Sequence, residues 1–239
     1  MVRFGFGFML LLSLITVACG RQVTPNPPGL GPGGTPPGYF AVFMNVAQPF
    51  NFTNYQYMIV LNTTGDRHTP STDTYQTNWD GYSYEIVARG NGVSALAQAI
   101  QLVRSTQNPH IPPQPLPLGT TPQTFSFNLN ASGTGTEFQV LAQKRIFVSP
   151  SPSPSPSSTP PSLWTFNAFV TQANSAGRWQ FVDSMGAGGP TDPQFISPVL
   201  CMTEPFDNTY NARGFVPPDQ AAEITSVEIA NNPASPAPC

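Results

Sequence analysis

The sequence predicts an all-β protein whose folded part is a single β-sandwich. From Tyr39 onward, the apolar residues occur in short runs that are rich in aromatic and β-branched side chains, and turn residues separate these runs. Several runs alternate with period two, as in Thr124–Leu129, where Phe and Leu alternate with polar residues. This alternation is typical of strands that bury one face.

Nine segments are predicted as strands from their composition and their flanking turn residues. They are Tyr39–Val46, Gln56–Asn62, Tyr82–Ala88, Thr124–Leu129, Glu137–Ala142, Arg145–Val148, Leu163–Thr171, Trp179–Val182 and Thr225–Ile229. A further segment, residues 93–104, is ambiguous because its apolar residues fit a helical stripe, whereas the preceding Asn91-Gly92 is a strong hairpin signal. We favour a strand there and keep a helix as the alternative.

Residues 1–18 have the features of a secretory signal peptide. Arg3 supplies a positive charge, and the apolar run Phe4–Val17 is too short to cross a bilayer, which takes about 20 residues. The small residues before Cys19 resemble the lipobox of bacterial lipoproteins, in which the cysteine is lipidated and becomes the first residue of the mature chain. The sequence departs from that pattern at Thr16, where Leu is usual. Ordinary cleavage near Cys19, or a retained signal anchor, is the alternative.

The resemblance implies a protein of the bacterial cell envelope, facing outside the cytoplasm and held on the membrane by acyl chains on Cys19. Each buried methylene contributes about 0.8 kcal/mol, so two or three chains provide stable anchoring. Residues 19–38 are rich in Pro and Gly, and Val23 and Leu30 are their only aliphatic side chains. Because such a segment buries too little apolar surface to fold, we expect a disordered tether.

The three cysteines are Cys19, Cys201 and Cys239. An exported chain with an odd number of cysteines has one thiol that needs an explanation, and lipidation of Cys19 supplies one. The other two are predicted to form a disulfide, which persists outside the cytoplasm. The alternative is a buried Cys201 thiol together with a Cys239 that is free or links two molecules.

The second low-complexity segment, Ser149–Ser162, alternates Ser and Pro and favours an extended conformation. Such a segment often separates domains, but the few strands predicted after it are too few for an independent core. We therefore predict one sandwich over residues 39–230, with 149–162 as a surface loop and 231–239 as a C-terminal tail.

Charged residues are scarce in this chain, at 9% against a usual value of about 25%. Without residues 1–18 the chain keeps eight basic and twelve acidic residues, a net charge of −4. Its longest basic run is Lys144-Arg145. Because nucleic-acid binding needs many phosphate contacts, no nucleic-acid partner is expected.

No pattern in the sequence indicates catalysis, a metal or a cofactor. The two histidines, His68 and His110, lie in polar segments next to prolines and are predicted as loop residues. The His and Cys spacing of a zinc site is missing, as is the G-x-S-x-G motif of hydrolases. We therefore predict a protein that is not an enzyme.

Two loops collect aspartates, and oxygen-rich loops can bind calcium. The first, Asn62–Tyr82, contains Asp66 and Asp80, and the second, Val182–Asp192, contains Asp183 and Asp192. Neither loop has the spacing of an EF-hand. Asp is also a common turn former, and we favour that explanation.

The first loop also provides the only indication of a ligand. Trp79 lies in this long polar loop beside Asp80 and close to Tyr82, where its ring could stack on a sugar. We predict a ligand site formed by Trp79, Asp80, Tyr82 and Asp66. The other two tryptophans, Trp164 and Trp179, are expected in the core.

The strand texture of "YMIVLNTTGD", "YSYEIVARG" and "WTFNAFV" resembles sandwich domains of the carbohydrate-binding or DOMON type. That resemblance implies glycan binding, or a role with another envelope component, by analogy of fold. The sequence thus predicts a membrane-anchored lipoprotein with a non-catalytic binding or structural role. The alternative is an envelope-bound or secreted hydrolase of the glycosidase class, which uses two carboxyl groups.

Overall fold

A computed structural model describes residues 34–72, 79–80, 83–89, 99–104, 114–115, 125–128, 135–147, 162–173, 175, 179–186, 195–213 and 215–239. Its strands are β1 (Tyr39–Val46), β2 (Tyr55–Asn62), β3 (Ser71–Thr72), β4 (Trp79–Asp80), β5 (Tyr84–Arg89), β6 (Ala99–Arg104), β7 (Gln114–Pro115), β8 (Phe125–Asn128), β9 (Glu137–Gln143), β10 (Leu163–Ala173), β11 (Trp179–Ser184), β12 (Leu200–Cys201), β13 (Phe206–Asn211) and β14 (Ile224–Asn232). Short 3₁₀ helices cover Lys144–Phe147 and Gln220–Ala222.

The strands form two antiparallel sheets that pack face to face, so the predicted all-β sandwich is confirmed. The five-stranded sheet has the order β13-β14-β1-β9-β8. The seven-stranded sheet has the order β11-β10-β2-β5-β6-β7, with β12 paired to β10, and β3 pairs with β4 separately. Strands from both sides of segment 149–162 share each sheet, since β14 pairs with β1 and β10 pairs with β2.

The core lies between the two sheets and contains many aromatic rings. On β1 the residues Phe40, Val42 and Met44 point into it, as the period-two pattern requires. The Phe40 ring meets the rings of Phe147 and Trp164 edge-on, with centroids 4.9 and 5.6 Å away. Trp164 is 3% exposed, so its predicted place in the core is confirmed.

Two hydrogen bonds join the seven-stranded sheet to the beginning of β14. The Tyr57 hydroxyl donates to the Ala221 carbonyl at 2.9 Å, and the Asp183 carboxylate accepts from the Ile224 amide at 2.7 Å. Burial raises the pKa of Asp183 to about 7, although the backbone bonds to it act in the opposite direction. The prediction that Asp183 belongs to an aspartate-rich loop is therefore wrong, because this residue lies buried on β11.

The chain enters the sandwich at Gly34–Gly38, where β1 begins. Asn232 holds this entry at two points: its side-chain Nδ2 donates to the Thr35 carbonyl at 2.8 Å, and its carbonyl accepts from the Gly38 amide at 2.7 Å. Gly38 has a φ of 82°, a conformation that favours glycine. The first described residues are thus fixed to the end of β14.

A disulfide closes the same end of the sandwich, as predicted. It joins Cys201 to Cys239, with the two Cα atoms 6.0 Å apart. The carbonyl of the next residue, Met202, accepts from Lys144 Nζ at 2.6 Å and from Asn231 Nδ2 at 3.1 Å. The C-terminal tail is therefore connected to both sheets.

Two predicted elements need correction. Arg145–Val148 was expected as a strand, but Lys144–Phe147 forms a 3₁₀ helix. Its tight turn lets both Ile146 and Phe147 pack on the core, whereas a strand would place one of them on the outside. The predicted tail begins two residues too early, because β14 continues to Asn232 and pairs there with β1.

The strand interpretation of segment 93–104 is confirmed for Ala99–Arg104, and residues 93–98 lie outside the described residues. Arg89 pairs with Ala99, so the connection that contains Asn91-Gly92 spans residues 90–98. Strand β13 was not predicted because its sequence, FDNTYN, is polar. Among the described strands it is an edge strand that pairs with β14, and its exposed residues gain nothing from being apolar.

Candidate functional site

The loop predicted to bind a ligand begins with a turn that uses Asp66 as a hydrogen-bond acceptor. The Asp66 carboxylate accepts from Asn62 Nδ2 at 2.7 Å and from the His68 amide at 2.8 Å. Partial burial acts to raise the pKa of Asp66, but the bonds from His68, Thr64 and Asn62 outweigh it and lower the pKa. A carboxylate bonded to the amide two residues ahead is an Asx turn. The turn-forming interpretation of this aspartate is therefore confirmed.

The same loop packs on the outer side of the seven-stranded sheet through its backbone carbonyls. The His68 carbonyl accepts from Asn62 Nδ2 at 2.8 Å and from the Thr165 hydroxyl. The Pro70 carbonyl accepts from Asn167 Nδ2 at 3.0 Å. The start of the loop is thus fixed on β2 and β10, and the predicted loop position of His68 is confirmed.

The remaining residues of the predicted site are described only in part. Trp79 pairs with Thr72, and Asp80 pairs with Ser71, in the small β3-β4 ladder. The structure does not describe the side chains of Trp79, Asp80 and Trp179. Tyr82, His110 and Asp192 lie wholly outside the described residues. Ligand binding by Trp79, Asp80, Tyr82 and Asp66 stays a prediction.

The outer side of the seven-stranded sheet, the covered face, is buried where β2 and its neighbours β5 and β10 cross its centre. Its apolar side chains form a second cluster that is separate from the core: Met58, Val60, Val87, Phe169 and Phe181. The rings of Phe169 and Phe181 meet at a centroid distance of 5.0 Å. Every residue of β2 is buried, because one alternate set faces the core and the other faces this cluster. The covered face is protein interior.

Glu85 is an ionisable residue on the covered face. It lies opposite Val60 on the neighbouring strand and is 3% exposed, and its Oε1 has no hydrogen-bond partner. Burial raises the pKa of Glu85 to about 8. At pH 7 this carboxyl is therefore mostly neutral, since a charged form would lose its hydration without gaining a partner.

The outer side of the five-stranded sheet, the open face, has solvent-accessible side chains on β13, β14, β1 and β9, the strands whose side chains the structure describes. Cross-strand pairing arranges its side chains in rows. From the entry of the chain outward, the rows are Asn232, Tyr39 and Gln143; Asp207, Ala230, Ala41 and Leu141; Thr209, Glu228, Phe43 and Gln139; and Asn211, Ser226, Asn45 and Glu137. The two alanines are buried, and every other member is half-buried or exposed.

Two aromatic side chains, Tyr39 and Phe43, lie on the open face. They are four residues apart on β1, which corresponds to about 13–14 Å along a strand. Gln143 Nε2 donates to the Tyr39 hydroxyl, and Gln143 Oε1 is buried without a hydrogen-bond partner. A side-chain amide thus lies beside each ring, because Gln143 is paired with Tyr39 and Gln139 is paired with Phe43.

Three carboxyl groups lie on the same face, on Glu228, Asp207 and Glu137. Partial burial raises the pKa of Glu228, and the hydrogen-bonded Asp207 carboxyl and the charge of Glu137 raise it further, while a bond with Thr209 lowers it. A second negative charge is disfavoured beside the first. Glu228 therefore holds its proton to a higher pH than an isolated glutamate.

The carboxyl groups of Glu228 and Asp207 are near neighbours on the open face. Glu228 lies opposite Thr209 on β13, and Asp207 is two residues from Thr209 on the same strand. This proximity is the reason that Asp207 raises the pKa of Glu228.

Within the described ranges, no three His, Cys, Asp or Glu side chains are grouped so that they could hold a metal ion. No helix in that part of the chain has the length and apolar character needed to cross a bilayer. Cys19 precedes the described residues, and its lipidation stays a prediction.

Comparison with known proteins gives no family model, curated protein or solved structure that matches this chain. The open face is therefore interpreted from its own residues. The open face was not predicted from the sequence, although β1 contains a signal for it. Successive side chains of Tyr39–Val46 point to opposite faces of the sheet, and aromatic residues occur at both kinds of position. At least one ring must therefore lie outside the core between the sheets.

Proposed function

We propose that this chain is an envelope lipoprotein whose sandwich binds a glycan on the open face without catalysing a reaction. The observation that carries the proposal is the pair of rings, Tyr39 and Phe43, on an accessible sheet among amide, hydroxyl and carboxyl side chains. Sugars have apolar C–H faces that pack on aromatic rings, and hydroxyls that exchange hydrogen bonds with such polar groups.

The spacing of the rings indicates the size of the ligand. A ligand that contacts both Tyr39 and Phe43 must extend over about 13–14 Å of strand. An oligosaccharide has this length and a monosaccharide does not. On β9 the polar side chains of Gln143, Gln139 and Glu137 lie on this face, with Leu141 between the first two.

Binding to a glycan array, followed by calorimetry on the best ligand, tests the proposal. Phe43→Ala should weaken binding about tenfold, because one stacking surface is lost. Phe215→Ala is the matched control, since this half-buried ring lies outside the open face. Failure to bind any glycan, or equal loss in both variants, would contradict the proposal. Cleavage of the glycan would favour the glycosidase alternative.

Membrane attachment is tested by Cys19→Ala in the producing cell. We expect this variant in the soluble fraction, and we expect intact mass to lack the acyl chains that hold the wild-type protein on the membrane. Arg21→Ala, two residues away, is the control and should stay in the membrane fraction. Membrane retention of Cys19→Ala would contradict the anchor.

A further inference from the structure

The charged side chains that the structure describes on the open face are all of one sign. Glu137, Asp207 and Glu228 contribute carboxyl groups, and none of the residues that β13, β14, β1 and β9 place on this face is Lys or Arg. Asp207 and Glu137 are exposed, and Glu228 is half-buried. A sheet face with carboxylates and no compensating cations attracts positively charged ligands.

A ring and a carboxyl group lie side by side at the centre of this face. Phe43 and Glu228 are directly opposite on neighbouring strands, a position in which Cβ atoms are about 4.5–5.5 Å apart. An ammonium group above the Phe43 ring would gain a cation–π contact and would also lie within reach of the Glu228 carboxylate. Asp207 is hydrogen-bonded to Glu228 and adds to the same negative region.

Other classes of sugar fit these residues less well. An acidic sugar would place its carboxylate beside this group of carboxyls, whose negative charge repels it. A neutral sugar could donate hydroxyl hydrogen bonds to the carboxyl groups but would supply no charge in return. A sugar with a free amine supplies both the cation and the apolar ring face.

We propose that the ligand of the open face is an oligosaccharide of amino sugars with free, positively charged amines, bound between Phe43 and the carboxyl groups of Glu228 and Asp207. This inference rests on the glycan-binding function proposed above and specifies its ligand class.

Calorimetry of the full-length protein in detergent tests the inference with two probes that share one backbone. The probes are a chitosan hexasaccharide, whose amines are free, and its fully N-acetylated counterpart. We expect at least tenfold tighter binding of the free-amine form, and a loss of affinity as salt is added, because the contacts are ionic. Equal affinity for both probes would overturn the amino-sugar inference and leave glycan binding in place.

Charge-removing variants show which carboxyl groups bind the amines of the probe. Glu228→Gln and Asp207→Asn should each weaken binding of the free-amine probe about tenfold. Glu204→Gln, an equal charge change at an exposed residue outside the open face, should leave it within twofold. If Glu204→Gln weakens binding as much as Glu228→Gln, the attraction comes from net charge and the inference is overturned. If neither probe binds but the glycan array identifies another ligand, the amino-sugar inference is wrong and glycan binding stands. If no glycan on the array binds, the proposed glycan-binding function is wrong as well.

Discussion

The two outer faces of the sandwich differ although the central strands that form them are alike. On β2 the outward set contains Met58 and Val60, and on β1 it contains Tyr39 and Phe43. The neighbours across the sheet make the difference. Met58 has Phe169 and Val87 beside it, whereas Phe43 has Glu228 and Gln139.

The two faces differ in row composition and also in what packs on them. On the seven-stranded sheet Phe169, Met58 and Val87 form an apolar row, and the mixed row of Asn167, Val60 and Glu85 is buried as well, where the loop after β2 packs on it. The rows on the five-stranded sheet are also mixed, but most of their side chains stay at the surface.

The largest expected effect comes from truncating one ring on each face. Phe169→Ala should reduce the free energy of unfolding by about 3–5 kcal/mol, because it leaves a cavity beside Phe181 in a buried cluster. Phe43→Ala should cost less than about 1 kcal/mol, since its ring already contacts solvent. Urea unfolding of both variants measures the difference, and equal costs would show that the two faces are equally buried.

Glu85 gives the covered face a pH dependence. Its pKa is raised from 4.5 to about 8 on folding, so the folded state holds the proton more tightly. The stability that this carboxyl contributes is complete below pH 4.5 and is lost as the pH rises through 8. Glu85→Gln removes the titration and should stabilise the protein at pH 8 by on the order of 3 kcal/mol.

Thermal unfolding from pH 4.5 to 9 measures this effect as the difference between wild type and variant. That difference excludes the contribution of Asp183, whose raised pKa also reduces stability with rising pH. A wild-type curve that stays parallel to the Glu85→Gln curve over this range would mean that Glu85 is hydrated in solution.

A smaller effect is expected where the loop meets the covered face. Asn167→Ala removes the bond to the Pro70 carbonyl and leaves that buried group unpaired, at a cost of about 1–2 kcal/mol. Amide hydrogen exchange in residues 66–72 should become faster. Gln139→Ala on the open face is the control and should change stability by less than about 0.5 kcal/mol. Unchanged exchange in Asn167→Ala would show that other contacts hold the loop.

Local features of the sequence predicted most of the strands. β1 was predicted with its observed bounds, and β2, β8 and β9 within one residue at each end, because alternation and turn residues act over a few positions. The disulfide followed from the number of cysteines and the expected export. β13 was missed because its polar sequence carries no such signal.

The candidate site could not be predicted in the same way. Trp79 and Asp66 stood out because a polar loop with an aromatic residue is visible in a short stretch of sequence. Phe43 and Glu228 are 185 positions apart in the sequence. Their pairing can be identified only when the register of β1 and β14 is known. Register depends on packing of the whole sandwich rather than on local preference.

Amide chemical-shift mapping of a bound oligosaccharide tests most directly that the open face is the ligand site. We expect the shifted amides to lie in Tyr39–Asn45, Glu137–Gln143 and Ser226–Asn232, which belong to the three central strands of that sheet. Shifts grouped instead in Asn62–Tyr82, with β1 and β14 unchanged, would contradict this assignment and place the ligand on the loop that contains Trp79.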